Sequence, residues 1–198
     1  MGLNLTYIGG QTPLDDEELE ELLIPTVTTR DELDEFEQQN IESAMQWTLS
    51  NRFAAEEILS EEFLRKLHAE MYGKVWSWAG EFRRTNKNIG VDKFQIPLQL
   101  RGLLEDCRYW IVHDTFTADE IAVRFKHRLV YIHCFPNGNG RHSRLAADIL
   151  VSHVFDRPVF TWGRSALQQS NDSRSAYISA LHAADQGDLA PLIRFARS

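Results

Sequence analysis

The sequence predicts an all-α domain interrupted by one short β-hairpin. Apolar residues recur at helical spacing through most of the chain. Only the segment WSWAGEFRRTNKNIGVDKFQIP, residues 76–97, differs, because glycines and asparagines punctuate it and Phe94 and Ile96 alternate with polar residues. At 198 residues with 43% apolar residues, the chain can bury a core, and its length favours a single compact unit.

The first elements are an arm and a long helix. Residues 1–34 are predicted to form an N-terminal arm, in which DDEELEELLI makes a short acidic helix ended by Pro25. The main domain would follow as residues 35–198. From Thr29 onward, RDELDEFEQQNIESAMQWTLSNRF predicts a long helix, whose first turns lie in the arm. Its apolar residues fall mostly on one face, namely Leu33, Phe36, Ile41, Ala44 and Trp47.

The helix before the hairpin is predicted from a cap and an apolar stripe. SEEFLRKLHAEMYG begins with Ser60, a favourable N-cap residue, and ends at Gly73. Its helical stripe consists of Phe63, Leu64, Leu67 and Met71.

Five further helices are expected after the hairpin. The segments LQLRGLLEDCRYWIVHD and TADEIAVRFKHRLVYIH read as helices, the second opened by a capping box between Thr117 and Glu120. The second helix would bury Ile121, Phe125, Leu129 and Ile132. NGRHSRLAADILVSHVF supplies another helix, and DSRSAYISALHAADQGDLAPLIRFARS supplies two closing ones.

Composition excludes several classes of function. The net charge of −8 argues against a protein that holds nucleic acid, because such a protein needs an excess of lysine and arginine. No apolar run approaches the roughly 20 residues that span a bilayer, so no membrane association is expected. Cys107 and Cys134 cannot build a disulfide framework, which suits a reducing compartment and predicts a cytoplasmic protein.

The segment IHCFPNGNGRHSRL, residues 132–145, combines groups that suit phosphate chemistry. Gly138, Asn139 and Gly140 join two predicted helices, so main-chain N–H groups at the start of the second helix could approach a phosphate closely. The guanidinium groups three residues apart in RHSR point to nearly the same side of that helix and would add donors for phosphate oxygens. His133 lies just before this cradle and could remove a proton from an attacking hydroxyl.

Each of these residues alone has an ordinary structural explanation. A histidine at a helix end is usually a cap or core residue, a glycine-rich turn is usually only a turn, and arginines usually form surface ion pairs. Their joint presence within twelve residues favours a site for group transfer, in which positioning and charge stabilisation would do most of the catalysis.

At this point the chain resembles the Fic family, whose motif is HxFx(D/E)GNGRxxR. HCFPNGNGRHSR matches every defined position except one. LHAEMYGKVWSWAGEFR and RSAYISALHAADQGDLAPLI are similar to flanking family segments, so the resemblance covers residues 35–196. The compact form resembles the branch called mobile mystery protein B. The resemblance implies a Fic-type helical bundle with a small β-hairpin flap, and residues 35–198 would be the Fic domain.

The resemblance also implies an activity, namely protein AMPylation, in which AMP moves from ATP to a hydroxyl of a target protein and pyrophosphate leaves. His133 would be the general base, and Phe135 would anchor the loop. The nucleotide-binding residues would be Gly138, Asn139, Gly140, Arg141 and Arg144, with the glycines and asparagine forming the anion hole and the arginines holding the triphosphate. The flap, residues 87–97, would bind the target protein by pairing main chain with main chain.

This chain departs from the family pattern at the metal position. Where the family has an acidic ligand for Mg²⁺, it has Asn137, whose amide oxygen can bind a hard cation but brings no charge. Cys134 replaces the usual proline, and we expect a small buried residue rather than a nucleophile.

Regulation is not evident from the sequence. The family's inhibitory glutamate motif is not met, and Glu37 is its weak candidate beside the simpler interpretation of a solvated acidic helix face. Inhibition by an antitoxin-type partner stays open.

Other activities compete with AMP transfer. A Doc-like phosphotransferase would carry nearly the same motif while binding the nucleotide in reverse. A metal-dependent phosphohydrolase built on His113 and Asp114 lacks partner residues at fitting spacings. A third alternative is a catalytically weakened module that binds a nucleotide or a partner, with Asn137 marking the loss of activity.

Overall fold

The computed structural model describes residues 12–163 and 170–198, and within these ranges helices are the main regular secondary structure and no β-sheet is present. The helices are α1 (Asp16–Leu19), α2 (Arg30–Leu49), α3 (Ala55–Ile58), α4 (Glu61–Tyr72), α5 (Ile96–Val112), α6 (Ala118–Ile132), α7 (Asn139–His153), α8 (Ser170–Asp185) and α9 (Ala190–Arg197). The predicted all-α class is confirmed. Among the described helices, none combines the length and the hydropathy that crossing a bilayer requires.

Helix starts follow the predicted capping chemistry with one difference. The Ser60 side chain accepts a hydrogen bond from the Phe63 N–H at 3.0 Å, so the predicted N-cap of α4 is confirmed. The Thr117 hydroxyl accepts from the Glu120 N–H, but the Glu120 carboxylate accepts from Arg124 Nε at 3.0 Å instead of returning to the cap. The start of α6 therefore has half of the predicted capping box.

The core lies between α4, α6 and α7. Helix α7 contacts α3, α4 and α6, while α2 packs on α4, α5 packs on α6, and α8 packs on α9. The predicted stripes of α4 and α6 are buried at every predicted position: Phe63, Leu64, Leu67, Met71, Ile121, Phe125, Leu129 and Ile132. This packing holds the loop between α6 and α7 at one end of the bundle.

The buried face of α2 is partly polar. Leu33, Ile41 and Ala44 are buried as predicted, but Phe36 is exposed. Glu37 lies on the buried face instead, because it is one helical turn from both Leu33 and Ile41. The interpretation of Glu37 as part of a solvated acidic face is therefore wrong.

The predicted β-hairpin flap is also wrong for the described residues. Residues 81–92 are bends and irregular coil, followed by a 3₁₀ turn at Lys93–Gln95. The reason is that side chains rather than a strand ladder satisfy the main chain here. Buried Arg83 donates to the carbonyl oxygens of Thr85 and Val91, and Asn86 Oδ1 accepts from the Lys93 N–H at 2.8 Å. We call residues 84–95 the flap loop.

The arm runs from residue 12 across the flap side of the bundle. Four residues of the predicted acidic helix form α1, and an isolated antiparallel bridge pairs Leu22 with Trp76. Residues 1–11 of the predicted arm lie outside the described ranges. Helix α2 continues from Arg30 past residue 35, and the division between arm and domain after residue 34 stays a prediction.

Candidate active site

His133 ends α6 in a left-handed conformation, with φ 58° and ψ 61°. This conformation turns the chain sharply from α6 into the loop that precedes α7. Nδ1 lies 3.4 Å from the Val130 carbonyl oxygen, and Nε2 lies 3.1 Å from the Thr12 hydroxyl. Because a carbonyl only accepts, Nδ1 carries the proton and Nε2 presents its lone pair to the hydroxyl. The ring therefore has the tautomer that a general base for a hydroxyl needs.

The environment of His133 keeps its ring neutral. Burial lowers the pKa of His133 to about 4, the contact with the Val130 carbonyl raises it, and the charges of Arg83 and Lys87 lower it further. The same positive charges would favour a phosphate beside the ring. Gly90 of the flap loop has φ +98°, and a Cβ there would lie 2.6 Å from the His133 Cβ, so the loop passes directly against the histidine.

The loop after His133 is fixed by Phe135 and Asn139. Phe135 is buried and stacks on His68 with ring centroids 3.8 Å apart, which agrees with its predicted role as an anchor. The Asn139 side chain accepts from the Phe135 N–H at 2.9 Å and donates to the Phe135 carbonyl at 2.8 Å. Only the main chain of Asn139 is thus left for the predicted anion hole.

The two glycines of the loop meet different surroundings. Gly138 has φ +74°, and a Cβ there would lie 2.5 Å from the Tyr72 ring, so the fold itself requires glycine at this position. A Cβ on Gly140 would meet nothing within 4 Å. Gly140 lies in the first turn of α7, where N–H groups have no acceptor within the helix. The open space beside the Gly140 Cα leaves room for a group to approach this turn.

Both polar atoms of the Asn137 side chain form hydrogen bonds with the main chain. Its Oδ1 accepts from the Gly138 N–H at 2.6 Å, and its Nδ2 donates to the Thr12 carbonyl at 3.1 Å. Over the described ranges, no cluster of three or more histidine, cysteine or acidic side chains could hold a metal ion. These residues do not fit a metal held by the protein alone, and the predicted metal role of Asn137 stays untested.

The two arginines of the motif point to different neighbours. Arg141 forms an ion pair with Glu37 at 2.7 Å and lies over the Tyr72 ring. The Arg144 Nε donates to the Gly140 carbonyl at 3.3 Å, and its guanidinium lies 5.8 Å from the Tyr177 ring centroid. Their partners thus differ, and the expectation that both guanidinium groups serve one phosphate site stays a prediction. Their roles toward a triphosphate stay predictions.

Glu37 belongs to the site although sequence reasoning gave it a minor place. Its Oε1 accepts from Trp76 Nε1 at 2.8 Å, and its Oε2 pairs with Arg141. The contact is thus with the first of the two motif arginines. Because Arg141 is partly exposed and Glu37 is buried, the pair ties α2 to the start of α7.

Three residues of the site were not predicted, although the family-like segment LHAEMYGKVWSWAGEFR contains two of them, His68 and Arg83. Arg83 donates from Nε to the His133 carbonyl at 2.6 Å and so holds the turn at His133 against the flap loop. His68 accepts from the Gly80 N–H and contacts the Asn137 carbonyl at 3.1 Å. Thr12 reaches His133 from 121 positions away in the sequence, a distance at which no periodicity or spacing operates.

The cysteines behave as predicted. Cys107 and Cys134 are buried and unlinked, and burial raises the pKa of each thiol to about 12. The expectation that Cys134 is a small buried residue is confirmed.

The sequence of the site and its surroundings matches a known family. Residues 58–151, which include α4 and the loop between α6 and α7, match the model of the Fic/DOC family. The chain contains a Fic/DOC domain. His133, the GNG turn and both motif arginines lie within the matched residues.

Curated relatives of this Fic-domain chain are adenylyltransferases by name. The Protein adenylyltransferase Fic of Drosophila grimshawi is 31% identical over 134 residues, which are 66% of this chain and 26% of that protein. The protein of the same name from Culex quinquefasciatus is 28% identical over 159 residues, which are 78% of this chain and 30% of that protein. The chain thus spans about a quarter to a third of the length of these relatives.

Solved Fic structures share the fold. C. elegans Fic-1 superposes with a TM-score of 0.64 at 22% identity, over 90% of this chain and 51% of that chain. Bartonella tribocorum BepC, solved with bound AMPPNP, superposes with a TM-score of 0.64 at 16% identity, over 92% of this chain and 97% of that chain. The helical bundle around the α6 to α7 loop is therefore the Fic fold.

Proposed function

We propose that this chain is a protein adenylyltransferase that moves AMP from ATP to a hydroxyl side chain of a target protein. The observation that carries the proposal is the contact of an unprotonated His133 Nε2 with a hydroxyl, 3.1 Å away, directly before the GNG turn. A base aimed at a hydroxyl beside a phosphate-binding helix start is the arrangement that this transfer requires. The names of the curated relatives support the same chemistry.

Residues in the loop and beside it have distinct parts in the proposed reaction. His133 takes the proton of the attacking hydroxyl, while the Asn139 and Gly140 main chain receives phosphate oxygens at the start of α7. Arg144 and, once released from Glu37, Arg141 hold the remaining phosphates. Arg83 and Phe135 keep the histidine and the loop in place. The attacking oxygen bonds to the α-phosphorus as the bond to pyrophosphate breaks.

ATP enters as its magnesium complex in this proposal. The bound AMPPNP of BepC supports a nucleotide site in this fold. Because Asn137 brings no charge, the phosphates of the nucleotide supply most of the attraction for the cation, and the protein would contribute at most one amide oxygen. Transfer should therefore require a higher Mg²⁺ concentration than that of a relative with an acid at this position.

The target protein is proposed to dock on the flap loop and the adjoining start of α5. This surface exposes the large apolar side chains of Ile89, Phe94 and Leu98, which are 47%, 79% and 63% exposed. Neither nucleic acid nor a membrane takes part in the proposal. An antitoxin-type inhibitor, a cytoplasmic location and membership of the mobile mystery protein B branch stay predictions.

The test uses ATP labelled at the α-phosphate or at the γ-phosphate. The purified chain and the His133→Asn variant are incubated with each label, Mg²⁺ and a cell lysate, and labelled proteins are separated by electrophoresis. The proposal predicts label from the α-phosphate alone, dependent on His133. Label from the γ-phosphate alone would replace AMP transfer by Doc-like phosphate transfer. The absence of label from both would overturn the proposal and leave a binding module.

A further inference from the structure

We infer that Thr12 occupies the acceptor position of the active site and is a target of AMP transfer within the same chain. Its hydroxyl lies 3.1 Å from His133 Nε2, which is the place that an attacking hydroxyl must take. The inference rests on the proposed function, because it needs the same nucleotide and the same base.

The main chain of Thr12 is held at the phosphate-binding loop. Its carbonyl accepts from Asn137 Nδ2 at 3.1 Å, and Thr12 itself is buried. The hydroxyl is thus fixed between the base and the loop from both sides. Since holding reactants together raises the rate of a transfer greatly, a hydroxyl so positioned should react ahead of one that must diffuse in.

The arm that presents Thr12 is attached to the flap loop by charge. Lys87 has 3% of its side chain exposed, and it pairs with Asp15 at 2.9 Å and with Glu18. The Thr85 hydroxyl donates to the same Asp15 carboxylate. Hydrogen bonds from Lys87 and Thr85 lower the pKa of Asp15, so this attachment persists at neutral pH.

Main-chain contacts further along the arm keep it in register. The Leu23 N–H donates to the Val75 carbonyl at 2.8 Å, and the Ser77 N–H donates to the Glu21 carbonyl at 3.1 Å. Trp78 Nε1 donates to the Glu18 carbonyl at 3.1 Å. The arm therefore has a specific seat, and the placement of Thr12 does not depend on one hydrogen bond.

The reaction balances with ATP as the sole co-substrate. The Thr12 oxygen forms a bond to the α-phosphorus of ATP, the bond from that phosphorus to the bridging oxygen of pyrophosphate breaks, and pyrophosphate leaves. His133 Nε2 accepts the hydroxyl proton and later releases it to solvent. The product is an AMP phosphodiester on Thr12.

The test follows self-modification by intact mass and peptide mapping. The full chain and its variants are incubated with ATP and Mg²⁺. The wild type should gain one AMP, mapped to Thr12, and Thr12→Ser should keep the modification because it keeps the hydroxyl. Thr12→Val should fall to the level of His133→Asn. Thr26→Val is the matched control, since Thr26 is an exposed threonine beyond α1, and it should behave as the wild type.

A mixing experiment establishes that the transfer is internal. Wild-type chain is incubated with a tagged His133→Asn chain, which can accept AMP but not transfer it. Internal transfer labels the wild type and leaves the tagged chain unlabelled. Label on the tagged chain, or AMP mapped to a residue other than Thr12, would overturn the inference.

The failure of this inference can be separated from the failure of the proposed function. The wild type is also incubated with lysate and α-labelled ATP, and labelled lysate proteins are separated from the chain itself. If lysate proteins are labelled while the wild type never carries AMP on Thr12, the inference is wrong and the function stands. If neither the lysate nor the chain is labelled, both are wrong.

Discussion

Replacing each loop glycine by alanine should separate the demands of the fold from those of the ligand. For Gly138→Ala, the left-handed backbone costs about 1–2 kcal/mol. The contact of the new Cβ with the Tyr72 ring, 2.5 Å away, adds about 1–3 kcal/mol as for other overpacked sites. We expect an unfolding free energy lower by about 2–5 kcal/mol in total. In a domain of this size that corresponds to a fall in Tm of about 4–20 °C.

Gly140→Ala should leave stability intact but weaken ATP binding. Its Cβ meets nothing within 4 Å and the position is helical, so the unfolding free energy should stay the same or rise by up to about 1 kcal/mol. If the open space receives phosphate, however, the methyl group displaces charge-assisted hydrogen bonds to the main chain, each worth about 1.5–3 kcal/mol. ATP affinity should therefore fall roughly tenfold to a hundredfold.

Thermal unfolding and calorimetric titration with ATP would measure both variants side by side. The expected result is a stability loss in Gly138→Ala alone and a binding loss without a stability loss in Gly140→Ala. If Gly140→Ala binds ATP as tightly as the wild type, the turn is not the phosphate cradle. If Gly138→Ala is as stable as the wild type, neither the backbone conformation nor the Tyr72 ring requires glycine at this position.

Three further predictions follow from the site and the arm. Lys87→Ala should destabilise the fold by about 1–3 kcal/mol and speed amide exchange in residues 12–19, because it removes a buried partner of two carboxylates. Its control is Arg84→Ala, at an exposed position, which should change stability by less than about 1 kcal/mol. Glu37→Gln keeps an acceptor for Trp76 but frees Arg141, so ATP affinity should rise roughly twofold to fivefold in titrations. A fall in affinity would contradict the idea that the ion pair with Glu37 withholds Arg141 from the nucleotide. Burial lowers the pKa of His133 from 6.5 to about 4, so between pH 4 and pH 6.5 the unfolded chain binds more protons than the folded chain. Tm should therefore fall as the pH drops from 6.5 to 4. A Tm that does not change over this pH range would refute a buried neutral ring.

The sequence predicted those parts of the fold that depend on local periodicity and capping. The stripes of α4 and α6 and the caps at Ser60 and Thr117 depend on residues three or four positions apart, where helical geometry alone decides contact. The flap loop differs because one long side chain, Arg83, gathers carbonyl oxygens that a hairpin would have paired. A binary pattern of apolar and polar residues cannot distinguish these two solutions.

The sequence indicated the loop residues of the candidate site but not the distant residues that contact them. The motif placed His133 and the GNG turn together because they are adjacent in the chain. Two long-range contacts complete the site: Thr12 of the arm contacts His133, and Glu37 of α2 pairs with Arg141. Glu37 was expected in solvent because acidic residues are rarely buried unless paired, and its pair lies 104 positions away in the sequence.

The most direct test of the central claim separates nucleotide binding from transfer in one variant. His133→Asn has a similar shape but lacks a base, so it should bind ATP with the wild-type affinity while AMP transfer from α-labelled ATP falls about 10²–10⁴-fold. Calorimetry would measure the binding, and single-turnover labelling of lysate proteins would measure the transfer. Binding retained with transfer lost is the predicted result. Transfer at the wild-type rate in His133→Asn would contradict a mechanism in which this histidine accepts the hydroxyl proton.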